Sequence, residues 1–223
     1  KFLSHNGVYK LQRTLIYKTL KENNLLKDSF FSYSAYNIFD DNVNSSKEED
    51  IKYENHIIEN IEPIYSKNTH EEILKDLPIV LDYIPNLSNV DQYAFTLPYT
   101  SNAYIELIGC TTIDSSDVVY TSEKIFKPFM AFMIPVFVGP SNLCKTLQQL
   151  GFDLFDDIID LSYDEEIDTV KRLSMVMEEI KKLGKYSIQE LHNLYWDREQ
   201  KLRHNHQLMQ ELARNQVETI RDL

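Results

Sequence analysis

The sequence predicts an α/β domain: a largely parallel sheet with helices on both faces, followed by a helical C-terminal extension. Three observations predict it. Short apolar runs of strand type alternate with helix-period segments over the first two thirds of the chain. The stretch DVVYTSEKIFKPFMAFMIPVFVG, residues 117 to 139, reads as strand, turn, helix and strand in direct succession. From Asp164 onward the pattern is helical, with a break near Leu183-Gly184-Lys185. The division that follows is an α/β domain over 1–183 and a helical extension over 184–223.

Taken in order, residues 8–26 place Leu11, Leu15, Ile16, Leu20 and Leu25 at near-helical intervals, and Asn23-Asn24 supplies a stop. Residues 29–38 (SFFSYSAYNI) alternate polar with aromatic or apolar side chains, the pattern of a half-buried strand. The acidic stretch 40–50 reads as an exposed loop, and 51–60 as a helix. PIVLDYI (78–84) and NAYIELIGC (102–110) are strand-type runs. In the unit 117–139, DVVY ends a strand at Tyr120, a helix follows Ser122, and IPVFVG forms the next strand. Pro128 removes a donor from that helix and predicts a kink at its second turn. SNLCKTLQQLG reads as a helix closed by Gly151. No internal repeat is present.

Composition excludes some functions. With 223 residues and 43% hydrophobic side chains the chain can bury a proper core. A formal charge of −12 argues against a broad electrostatic grip on nucleic acid or on an anionic membrane, since both need clustered Lys and Arg. Cys110 and Cys144 stand in apolar sequence without metal-ligand spacing, so they read as buried thiols of a reducing compartment. No signal peptide and no run of about 18 apolar residues is found, so a cytoplasmic protein is expected. The first residue is Lys1 and not Met, which fits a processed or trimmed chain.

Chemistry is expected at the turn Tyr120 to Lys127. Ligands of open α/β sheets bind beyond the carboxyl ends of the strands, and a helix start there offers N–H groups and a positive dipole end to an anion. Lys124 could pair with a diphosphate, Glu123 accept from sugar hydroxyls, and Tyr120 stack on a base or close the pocket. The plain alternative is that Glu123 only complements the helix dipole and Lys127 only faces solvent.

The order Tyr120-Thr121-Ser122-Glu123-Lys124, then a short helix and Ile134-Pro135-Val136-Phe137-Val138-Gly139, resembles the donor-binding signature of α-1,3-fucosyltransferases. It is similar, more distantly, to exostosin-type glycosyltransferases. SEKIFKP (122–128), LGFDLF (150–155) and IDLSYDEEID (159–168) resemble, more closely still, a group of glycosyltransferase-like proteins common in bacteriophages. The resemblance covers about residues 99–183. It implies the Rossmann-like, nucleotide-sugar-binding half of a two-domain glycosyltransferase, in the cytoplasm of a cell that for a phage protein is the infected host. Carried over, Tyr120 contacts the nucleoside, Glu123 meets ribose or sugar hydroxyls, and Lys124 meets the diphosphate; Ser122, which caps the helix, and Lys127 complete the donor-binding candidates. Three departures stand against it. A complete acceptor domain needs roughly 100 more residues. The family's upstream arginine has no secure match, Lys10 and Arg13 being the nearest diphosphate candidates. Only 5 glycines occur, and no Gly-rich phosphate loop.

For transfer, the donor is a nucleotide-diphosphate sugar, with no further cofactor. No Asp-x-Asp holds a metal against a diphosphate, so none is expected. Glu106, an acid inside an apolar strand, is the candidate general base; its other reading is a structural carboxylate satisfied by an amide or a lysine. Asp156-Asp157, Asp160 and Asp164-Glu165-Glu166 read as solvated loop and helix-start carboxylates, His204 and His206 as surface residues, and Leu194-Tyr195-Trp196 as a dock for the terminal helices. The acceptor is not legible. The alternative to a transferase is a binding or structural protein that keeps the fold without the chemistry.

Overall fold

The computed structural model of the protein describes residues 1–6, 10–33, 72–73, 75–76, 79, 97–113 and 123–221. Its centre is a four-stranded, all-parallel sheet in the order β2-β1-β3-β4. The strands are β1 (Phe2–Asn6), β2 (Ser29–Tyr33), β3 (Ile105–Gly109) and β4 (Ile134–Val138). Helix α1 (Leu11–Glu22) connects β1 to β2, and a short α2 (Leu97–Thr100) precedes β3. Helix α3 (Glu123–Met130) lies between β3 and β4, and α4 (Leu143–Gln149) follows β4. Three helices complete the chain: α5 (Thr169–Gly184), α6 (Ile188–Trp196) and α7 (Glu199–Arg221). The predicted α/β architecture with a parallel sheet and a helical C-terminal part is the observed one.

Register and the two-residue alternation of strands assign the faces. β1 pairs with β3 through Phe2↔Ile105 and Leu3↔Glu106, and β3 with β4 from Ile105↔Ile134 to Gly109↔Val138. Phe2, Ser4 and Asn6 therefore share one face with Ile105, Leu107, Gly109, Val136 and Val138. Helices α1 and α5 pack together on that face. Glu106, Ile108 and Phe137 point to the other, where α3 lies and the Phe129 ring sits 6.5 Å from that of Phe137. Strands β3 and β4 are buried throughout, with helices packed against both of their faces. Fully covered parallel strands carry continuous apolar runs, which is why IELIG and IPVFV read so plainly.

The central strand β1 was not anticipated. Its polar residues Ser4 and Asn6 face α1 and are buried, where alternation rules place polar side chains in water. Helix α1 starts at Leu11, inside the expected 8–26. The strand expected over 29–38 is seen as Ser29–Tyr33, and Ile79, from the run expected at 78–84, makes an antiparallel bridge to Tyr33. The loop 40–50, the helix 51–60 and the strand DVVY lie outside the described residues. The parallel neighbour of β4 is β3. Helix α3 ends two residues after Pro128, and Phe132, at φ 55°, turns the chain into β4. Gly151, at φ 98°, ends the α4 segment as expected.

Two buried ionic side chains hold the loops beyond β4. Asp164, 4% exposed, accepts from the amides of Cys144 (2.8 Å) and Lys145 (3.0 Å) and so caps α4. It is no solvated carboxylate; the α4 amides take the place of water. Asp168 does cap its own helix α5, accepting from Lys171 N at 2.9 Å, and Asp160 accepts from Ser162 N at 2.9 Å. Arg172, on α5 and 2% exposed, donates to the carbonyls of Gly139 (3.1 Å), Glu166 (2.6 Å), Ile167 (3.1 Å) and Ile113. One guanidinium thereby joins the segments after β3, after β4 and before α5.

The terminal helices dock as the sequence suggested, with a different division of labour. Tyr195 donates to Phe132 O at 2.9 Å and packs on Tyr104, while Trp196 is 53% exposed. His204 and His206 are docking residues as well. His204 Nε2 meets Gly151 O at 2.8 Å, and the ring of His206 stacks on Phe132 at 4.1 Å. Between them buried Asn205 donates to Asp153 O (2.7 Å) and accepts from Asp153 N (2.8 Å). His204, Asn205 and His206 together latch α7 to the domain.

Candidate functional site

Strand order fixes where a ligand can enter. From β1 the chain crosses through α1 to β2 on one side, and the later strands β3 and β4 lie on the other. The order reverses between β1 and β3, and at such a switch point the connections diverge and leave a crevice at the carboxyl ends. Those ends are Asn6 and Gly109.

Helix α1 begins just beyond this crevice and sends polar side chains into it. Gln12 donates to Cys110 O, and Arg13 Nε donates to Gly109 O at 3.2 Å. Lys10 is the extended N-cap residue, and its carbonyl accepts from Thr14 Oγ1 at 3.2 Å and Tyr33 OH at 3.4 Å. Gln12, Arg13 and Thr14 are all buried. Of the two diphosphate candidates, Arg13 therefore lies over the switch point and Lys10 at the start of the helix that carries it. Close approach is possible because residue 109 is glycine: a Cβ built there falls 2.5 Å from Arg13 Cγ and 3.4 Å from Asn6 Oδ1. Gly109→Ala is expected to push Arg13 off the Gly109 carbonyl and to destabilise the fold by about 1–3 kcal/mol. A urea midpoint within error of wild type would show that Arg13 adapts without loss.

Lys124 occupies the first turn of α3 and is half-buried. A right-handed crossover between parallel strands starts its helix at their carboxyl edge, and Lys124 stands in the first turn of the helix between β3 and β4, on the face opposite α1. Tyr120, Ser122 and the side chain of Glu123 lie outside the described residues. Lys127, one turn on, brings its charge near Glu106. Burial pushes the Glu106 carboxyl up to about 7, and the Lys127 ammonium opposes that rise. Glu106 is 8% exposed and sits three residues before Gly109, roughly 10 Å back along the strand and on the α3 face. Titration near neutrality suits a general base, yet the strand does not carry Glu106 to the carboxyl edge. Its position beside Lys127 matches the structural reading of this acid.

Neither cysteine is a candidate nucleophile. Both are buried and free of disulfides, and burial pushes Cys110 up to about 12 and Cys144 well above its usual range. Among the described residues no group of three or more His, Cys, Asp or Glu could hold a metal ion, and no helix is long and apolar enough to cross a membrane. A shallow hollow of about 280 Å³ beside Gly151, Asp153, Asp156 and His204 has none of the carboxyl-edge residues in its wall.

Sequence reasoning missed Ser4, Asn6 and Gln12. The signal was present as polar residues at alternate positions of FLSHN and in the first turn of α1, but it reads as a solvent face unless the strand is known to be central. Comparison of the chain with protein-family models, with curated proteins and with solved structures found no match.

Proposed function

We propose that this chain binds a nucleotide-diphosphate sugar at the carboxyl edge of its sheet and acts as the donor-binding half of a glycosyltransferase. The observation that carries the reading is Arg13, held over the β1/β3 switch point by the carbonyl of Gly109. Lys124 adds a second cation at the same edge, beside the first amides of α3. The resemblance of Tyr120 to Lys124 to a donor-binding signature supports the same ligand class.

In the proposed reaction the acceptor oxygen forms a bond to the anomeric carbon and gives its proton to solvent, while the bond from that carbon to the diphosphate oxygen breaks. The diphosphate leaves with the electron pair. Negative charge grows on it as the bond breaks, so cations there stabilise the transition state more than the ground state. A second reading, binding without transfer, is favoured by the placement of Glu106 away from the edge. Turnover of a sugar nucleotide separates the two.

Binding itself is tested by calorimetry with GDP and UDP. Lys124→Gln is expected to weaken the tighter of the two by about 10- to 100-fold, the worth of a charge-assisted contact. Lys181→Gln serves as the control, since Lys181 pairs with Glu178 on α5. Equal losses from both substitutions would mean general electrostatics and would sink the site.

A further inference from the structure

Asn6 holds the one buried side-chain oxygen or nitrogen without a hydrogen-bond partner among the described residues, its Oδ1. The residue is 2% exposed. Its amide orientation is set by a relay: Ser4 Oγ donates to Leu107 O at 2.8 Å, so its lone pairs receive Asn6 Nδ2, at 2.9 Å. The donor end of the amide is thereby turned inward along β1 and the acceptor end is left at the strand's carboxyl end. That acceptor and the Arg13 stem both lie close to Gly109: a Cβ built there would fall 3.4 Å from Asn6 Oδ1 and 2.5 Å from Arg13 Cγ.

A buried acceptor with no donor lowers stability, and carboxyl edges are where such a group finds use in a ligand. An amide oxygen repels a phosphate oxygen and accepts from a hydroxyl, whereas a guanidinium does the reverse. Acceptor and cation side by side match a ligand that carries a hydroxyl next to a phosphate. We propose that Asn6 Oδ1 accepts a hydrogen bond from a sugar hydroxyl of the ligand whose phosphate Arg13 holds, making Asn6 the residue that selects a glycosyl or ribosyl phosphate over a bare one. Entry requires Arg13 to turn from Gly109 O toward the phosphate. The inference rests on the diphosphate reading above and adds to it the class of group recognised beside the phosphate.

Calorimetric titrations with GDP and UDP, their 2′,3′-dideoxy counterparts, UDP-glucose and inorganic pyrophosphate test it. Wild type is expected to bind the ribonucleotides about tenfold more tightly than the dideoxy forms. In Asn6→Leu that preference disappears while pyrophosphate binds as before. Ser4→Ala, which releases the amide from its relay, is expected to narrow the preference too, and it covers the case in which Asn6→Leu does not fold. If the hydroxyl is that of the hexose, the Asn6-dependent preference appears between UDP-glucose and UDP instead. Probe affinities unchanged in both variants, or wild-type binding of pyrophosphate alone, would overturn the hydroxyl assignment. A wild type that binds no probe at all would overturn the diphosphate reading and this inference with it.

Discussion

Arg172→Met is expected to cost about 3–5 kcal/mol of folding stability, the range for breaking a buried charged network. Methionine matches the length of the arginine stem and fills much of its space, so the loss reports on the polar contacts. Four carbonyls, of Ile113, Gly139, Glu166 and Ile167, lose their donor together. Arg172→Lys recovers only part, because an ammonium directs three donors from a single point where the guanidinium spreads five in a plane. Urea denaturation followed by circular dichroism measures both variants. A loss below about 1 kcal/mol for Arg172→Met would show that water or neighbouring amides take over the carbonyls.

Glu106→Gln is expected to make the protein more stable above neutral pH and to flatten its pH dependence. The acid has an ordinary value of 4.5 and is pushed up to about 7 by burial. Between those two values the folded chain keeps the proton and the unfolded chain has lost it. The unfolded state therefore binds fewer protons, and stability falls as pH rises through that window. Below it both states are protonated and above it both are ionised, so the slope vanishes at either end. The total change is on the order of 3 kcal/mol. Wild type is expected to lose that much from Glu106 between pH 4.5 and 8, and Glu106→Gln to lack this component. Parallel stability curves for the two proteins across the window would show that Lys127 compensates the buried charge in full.

The parts of the fold that were legible are those where apolar pattern and burial agree. IPVFV is apolar at all five positions because helices cover both faces of β4, and Gly151 marks the end of the α4 segment because the chain there needs a positive φ. Strand β1 was illegible for the opposite reason. Ser4 and Asn6 are polar and buried, satisfied in a chain of hydrogen bonds that only the folded sheet supplies. Asp164 and Arg172 were opaque in the same way: a charge bound to distant amides or carbonyls has no local signature, and on a polar stretch it reads as solvated. Arg13 was named from the resemblance alone, and topology explains its place over the switch point. For Lys124 the sequence expects a helix start and the fold has it in the first turn of α3, whereas an acid in an apolar strand, the pattern of Glu106, signals burial and is blind to position along the strand.

The latch on α7 has a mechanical consequence. A helix of 23 residues is about 34 Å long, and its docking contacts at His204, Asn205 and His206 fall near its first quarter. Leu208, Met209 and Leu212 continue the packing past its midpoint, so amide hydrogen exchange should be slow through Leu212 and quicken beyond it. Because the same three residues grip Met130, Gly151 and Asp153, loosening α7 would release the far end of α3, the helix whose first turn carries Lys124.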